Sequence, residues 1–121
     1  MKNPAQGLAY YEALVLKIKE QILTGVYVAD DKLPSVRELA VAENLNPNTV
    51  AKAYKQLEAD GVLYVLPGKG SFVSPPQAEN DQQVQKFAGR FKQLLIEAHI
   101  GGISQSQILA WVAEEYEEAG K

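Results

Sequence analysis

The chain has 121 residues, 46% of them hydrophobic, which is enough for one ordinary domain or a small domain with an extension and unlike a disordered composition. The absence of cysteine excludes disulfides and thiolate metal sites and fits a reducing cytoplasm, and a single histidine argues against an imidazole metal site within one subunit. No apolar run approaches the ~18 residues needed to cross a bilayer, so no membrane partner is expected, and residues 1–7 lack the charged-then-apolar order of a signal peptide. A net charge of -3 does not exclude nucleic acid, which needs cations at the contact surface and not a basic total. The acids gather late, at Glu114, Glu115, Glu117 and Glu118.

Residues 1–8 read as an arm of little intrinsic structure. From Tyr10, apolar residues recur at Tyr11, Leu14, Val15, Ile18 and Ile22, the spacing of a helix with one buried stripe. Gly25 is placed to stop it in the left-handed conformation, and residues 26–32 form a connector with a turn at Asp30-Asp31. Pro34 biases its predecessor to extended geometry. Ser35 and Glu38 then make an S-x-x-E capping box that opens a helix with Val36, Leu39 and Ala40 inward, ending near Asn44. Leu45 plugs the following turn.

Asn46 caps a second helix, with Pro47 at the first helical position, where a missing N–H costs nothing. It runs to Asp60 and is stopped by Gly61. Val50, Ala53, Tyr54 and Leu57 share its apolar face. The opposite face carries Asn48, Lys52 and Lys55, with Thr49 and Gln56 at its edge and no acid before Glu58. Amides can pair bidentately with adenine and lysines reach guanine or phosphate, so this face suits a DNA groove. Residues 62–66 and 71–73 are short, branched and aromatic and read as two strands, with Tyr54, Tyr64 and Phe72 taken as core. Between them Pro67-Gly68-Lys69-Gly70 supplies a turn whose glycines allow close approach to a phosphate, with Lys69 as an added charge.

Pro75-Pro76 and the polar residues 77–80 form a linker. Beyond it Val84, Phe87, Ala88, Phe91, Leu94, Leu95 and Ala98 follow heptad-like helical spacing, broken at Gly101-Gly102. Ser104 and Gln107 open a last helix with Ile108, Trp111, Val112 and Tyr116 on one side. Two such helices make only a small core alone. Val84, Phe87, Phe91, Leu94, Leu95, Ile108, Trp111 and Val112 are therefore read as a dimerisation surface. His99 and the acidic tail are read as ordinary helix-end residues. The expected architecture is mainly α with a small β-hairpin: a winged helix-turn-helix over residues 1–76 and a two-helix dimerisation segment over 77–121.

Four stretches in order, Leu33-Pro34-Ser35-x-Arg37-Glu38-Leu39-Ala40, Asn46-Pro47-Asn48-Thr49-Val50, Leu57-Glu58-x-Asp60-Gly61 and Gly68-Lys69-Gly70-Ser71-Phe72-Val73, resemble the GntR family of bacterial regulators. The likeness covers roughly residues 10–75, and the short helical C-terminal part is similar to the YtrA subfamily; larger subfamilies carry an effector domain for which this chain has no room. The resemblance implies that Arg37, beside Ser35, contacts DNA. It implies further that Asn46, Asn48 and Thr49 meet base edges and backbone, that Lys52 stands where YtrA-like sequences tend to carry a basic residue, and that Gly68, Lys69 and Gly70 approach the minor groove. It implies repression. Val36 departs from a frequent glutamate, and Pro47 and Ala51 from frequent arginines, so base preference is not transferable.

The function expected is a sequence-specific, DNA-binding transcriptional regulator that binds a two-fold-symmetric operator on double-stranded DNA as a cytoplasmic homodimer, without a cofactor; no small-molecule effector is named by the sequence. The alternative is a winged-helix adaptor for protein–protein contact, which would present an apolar or acidic face at Asn48, Lys52 and Lys55. An enzyme is not expected: there is no nucleophile–base motif, metal-ligand cluster or G-x-x-x-x-G-K-[ST] loop.

Overall fold

The computed structural model describes residues 9–76 and 80–118. The expected N-terminal arm and residues 77–79 of the expected linker lie outside them. The described residues fall into two compact units that divide at residues 76 and 77.

The first unit is built on three helices and a hairpin: α1 (Tyr10–Leu23), α2 (Val36–Glu43), α3 (Pro47–Ala59), β1 (Leu63–Leu66) and β2 (Gly70–Val73). Leu14, Val15 and Ile18 of α1 and Val50, Ala53, Tyr54 and Leu57 of α3 are its centre. Leu39 and Ala40 of α2, Leu33, Leu63 and Val73 close it. Tyr11, Ile22, Val36 and Leu45, expected inward, are packed at its edge.

Helix boundaries follow the capping chemistry. The Ser35 hydroxyl accepts from the Glu38 N–H at 3.0 Å, and the Ser35 N–H donates back to the Glu38 carboxylate at 2.8 Å. Asn44 ends α2 at φ 54, ψ 48, a left-handed conformation that asparagine tolerates better than most residues. The Leu45 N–H then reaches back to the Ala40 carbonyl at 2.9 Å. Three residues therefore connect α2 to α3, and the Asn46 side chain caps α3 by accepting from the Asn48 N–H at 2.8 Å. Gly61, at φ 75, ends α3 and turns the chain into β1. A buried tyrosine needs a partner for its hydroxyl: Tyr54 donates to the Pro34 carbonyl at 2.7 Å, and burial pushes its pKa up. That bond ties α3 to the segment that delivers α2.

β1 and β2 are antiparallel, with Leu63 opposite Val73, Tyr64 opposite Phe72 and Leu66 opposite Gly70. Pro67 and Gly68 fill the central positions of the turn, Gly68 at φ 76, and the Lys69 N–H closes it on the Leu66 carbonyl. The connector does more than connect. Asp30 and Leu33 donate to the Val73 and Ser71 carbonyls, Val73 donates to Asp31, and Lys32 bridges Phe72, so a third extended segment runs along β2. Tyr64 and Phe72, read as core, are instead stacked on the outer face of the hairpin with ring centroids 5.5 Å apart. Alternation explains this, since Leu63 and Val73 take the inner face.

The second unit holds α4 (Asp81–Ile100) and α5 (Gln105–Glu118). Asn80 caps α4 by accepting from the Gln82 and Gln83 N–H groups, and the Ser104 hydroxyl accepts from the Gln107 N–H at 3.1 Å to open α5. Gly102, at φ 80, makes the reversal. None of the described residues of this unit is buried. No helix among the described residues is long and apolar enough to cross a membrane.

Leu57 is fully buried between α1 and the hairpin, so Leu57→Ala is expected to destabilise the first unit by about 2–5 kcal/mol through lost transfer energy and a residual cavity. Val41→Ala, on the exposed side of α2, should cost no more than about 0.5 kcal/mol. Urea unfolding followed by far-ultraviolet dichroism reads both.

Candidate nucleic-acid interface

With one face of α3 consumed by the core, its other face stands in solvent. Asn46, Asn48, Lys52, Lys55 and Gln56 are exposed and Thr49 is half-buried. Ser35 and Arg37, at the start of α2, are exposed in the same unit, as are Gly68 and Lys69 at the hairpin tip. Gly70 is half-buried at the start of β2.

These residues differ in how free they are. The Asn46 side-chain oxygen is engaged as the α3 cap, whereas the Asn48 and Thr49 side chains make no hydrogen bond among the described residues. The Lys52 ammonium lies 4.0 Å from the centroid of the Tyr11 ring, a cation–π contact that draws it towards α1 and that periodicity could not reveal. A Cβ placed on Gly68 would meet nothing within 4 Å, so the tip is open to close approach. The same atom on Gly70 would lie 2.9 Å from Lys32 Cε, so the space beside Gly70 holds the Lys32 arm.

Charge is sorted by place. Of the seven cations in residues 9–76, Lys17 pairs with Glu43 at 2.6 Å and Lys19 with Asp60 at 3.1 Å, both reaching out from α1. The other five are Lys32, Arg37, Lys52, Lys55 and Lys69, and none has a carboxylate within ion-pair distance among the described residues. The nearby acids are used locally. Glu38 is held below the usual carboxylate range by the Ser35 N–H and hydroxyl and, to a smaller degree, by the Lys32 charge. Asp31 accepts from the Val28 N–H, and Asp30 accepts from the Tyr64 hydroxyl at 2.7 Å, a bond that raises the tyrosine's pKa. The result is a set of unpaired cations interleaved with amides and hydroxyls, beside acids that have local hydrogen-bond donors. Such a surface complements a polyanion.

Lys32 is the residue that the sequence reading missed. It precedes the Leu33-Pro34-Ser35 stretch in a segment read as a plain connector, and only the pairing with Phe72 shows which way it faces. No group of three or more metal-ligating side chains occurs among the described residues.

In the second unit, Phe87, Phe91 and Leu95 of α4 and Ile108 and Val112 of α5 line an open groove of about 840 Å³, together with His99. Val84 and Leu94 are exposed on α4, and Trp111 is half-buried on α5.

Comparison with known proteins places this geometry. Residues 10–73 match the model of "Bacterial regulatory proteins, gntR family", which spans α1 to the end of β2. The HTH-type transcriptional repressor YtrA of Bacillus subtilis is 37% identical over 114 residues, covering 93% of this chain and 88% of YtrA. A crystal structure described as a transcriptional antiterminator from Listeria monocytogenes superposes with a TM-score of 0.79 at 32% identity, over 97% of this chain and 88% of that one. The AraR DNA-binding domain in complex with operator ORX1 superposes at a TM-score of 0.55 and 29% identity, over 61% of this chain and 92% of that one. With a family match across the whole helix-turn-helix and wing, and a relative similar over nearly its full length, the chain belongs to the GntR family of bacterial regulatory proteins and is a DNA-binding transcriptional regulator.

Proposed function

We propose that this regulator is a repressor that binds a two-fold-symmetric operator as a homodimer in the cytoplasm, with no catalytic activity. The observation that carries the DNA contact is the sorting of charge: the five unpaired cations of the first unit sit at the start of α2, on the polar face of α3 and on the wing. In this reading Asn48 and Thr49 meet base edges or backbone at the start of α3. Asn46 offers the helix N-terminus to a phosphate while capping it. Arg37 and Ser35 contact the backbone beside α2, Lys52 and Lys55 add positive charge along the groove, and Gly68 with Lys69 brings the wing to the minor groove. Repression follows the name of YtrA, to which the chain is similar along 93% of its length.

Dimerisation is supported by two things. Base contacts from one α3 are few, each worth about 1–3 kcal/mol, and regulators of this size reach specificity by pairing copies on half-sites about one helical turn apart or more. The second unit offers the surface: Phe87 is 60% and Leu94 61% exposed, and Phe91, Leu95 and Val112 share a groove. Apolar side chains in that number are rarely left in water. The adaptor alternative is disfavoured by the same face of α3, which is neither apolar nor acidic.

Selection of duplexes from a random-sequence library, followed by fluorescence anisotropy, tests the DNA reading. The selected duplex is expected to bind at least about 10³-fold more tightly than a mixed-sequence duplex, with affinity falling steeply as salt rises. Arg37→Ala should weaken it by at least about tenfold. No binding to any duplex by a folded protein would instead support the adaptor.

Sedimentation tests the pairing separately. A dimer is expected at micromolar concentration, and Phe91→Glu, which puts a charge into the groove, should shift it to monomer and lower operator affinity with it. A wild-type monomer at that concentration would contradict the dimer.

A further inference from the structure

We infer that Lys32 is a DNA-backbone contact, its ammonium carried by the outer face of the wing beside Gly70 to a phosphate flanking the groove that the hairpin tip enters. The inference rests on the DNA-binding reading of the unit and adds a residue to it.

Three observations converge. The first is direction. Lys32 bridges Phe72, and antiparallel partners point to the same side of a sheet. Leu33 and Val73 next to them are buried, so Lys32 lies on the outer face with Phe72 and Tyr64. The second is reach. A Cβ on Gly70 would lie 2.9 Å from Lys32 Cε and 3.8 Å from Lys32 Nζ, so the arm runs towards the tip and its charge rests beside the glycine adjoining Lys69. Glycine at 70, at φ +127, both permits the backbone and leaves that space to the Lys32 arm; a methyl group there would displace it. The third is availability. Three acids neighbour this position in the fold, and each is otherwise engaged: Asp30 with the Tyr64 hydroxyl, Asp31 with the Val28 N–H, Glu38 with Ser35. Lys32 has no ion-pair partner among the described residues.

An ammonium so placed is a point charge without a rigid fork, suited to phosphate and not to reading a base. Its contribution should therefore be uniform across sequences and sensitive to salt. Lys32→Met keeps the stem that covers Gly70 and removes the charge; Lys32→Ala removes both; Lys32→Arg keeps the charge.

Anisotropy on a selected duplex and on a mixed-sequence duplex, over a salt series, tests this with all four proteins. Lys32→Met and Lys32→Ala are each expected to lose about tenfold on both duplexes at 0.1 M salt, and to flatten the slope of log affinity against log salt by about 0.9 per site. Lys32→Arg should retain wild-type affinity, and the melting curves of all four should coincide because the residue is exposed. Wild-type affinity and slope in Lys32→Met would overturn the inference, and would do so equally if Lys32→Ala alone lost affinity, since the stem and not the charge would then matter. Failure of the unsubstituted protein to bind either duplex would overturn the DNA-binding reading itself, a separate and visible result.

Discussion

Everything in the first unit depends on one helix being wanted on two sides. Val50, Ala53, Tyr54 and Leu57 of α3 are buried against Leu14, Val15 and Ile18 of α1, and this fixes which way Asn48, Lys52 and Lys55 must face. A helix has one rotational setting that buries four apolar residues, so the apolar stripe determines the orientation of the polar face. Other contacts hold that setting from the outside. Lys19 and Lys17 of α1 reach the C-terminal ends of α3 and α2 at Asp60 and Glu43, and Tyr54 is bonded to the Pro34 carbonyl. The surface pairs are individually worth about 0–1 kcal/mol. Their larger effect is to remove two acids from the field around α3.

That removal reconciles an acidic chain with a polyanionic partner. Binding responds to the cations within about a Debye length, ~10 Å at 0.1 M salt, and not to the total. Among the described residues of the first unit six acids, Glu12, Asp30, Asp31, Glu38, Glu43 and Asp60, are committed to caps, turns, a tyrosine hydroxyl and two lysines, while the cations of α2, α3 and the wing have no carboxylate partner. Tyr11 adds a different restraint: by holding Lys52 over its ring it gives a long, flexible side chain a preferred position on the side of α3 nearest α1. α1 thus shapes the polar face of α3 twice, by packing and by charge placement.

Much of this was legible in the residues because it is local. The Ser35–Glu38 box, the Asn46 cap before Pro47, the end of α2 at Asn44, and the glycines at 25, 61 and 68 each specify their neighbours' backbone within a few positions, and each stands in the structure as expected; the left-handed turn at Asn44 is what the structure adds. What escaped is what depends on distant partners. Residues 30–33 carry no alternating pattern long enough to announce a strand, so their pairing with β2 could not be foreseen, and Lys32 went unnoticed with them. Tyr64 and Phe72 look like core by composition, but the register with Leu63 and Val73 sends them to the outer face. The contact of Lys52 with Tyr11 joins residues forty-one positions apart in sequence, beyond any periodicity argument.

The central claim is that the solvent face of α3, framed by the start of α2 and the wing, is where DNA lies. Backbone amide chemical shifts, followed as a selected duplex is added to isotopically labelled protein, test it most directly because they report position as well as binding. A groove-reading α3 predicts that the largest changes fall on residues 46–56, with further changes at 32–37 and 68–70. Changes confined to α4 and α5, with residues 46–56 unmoved, would contradict it.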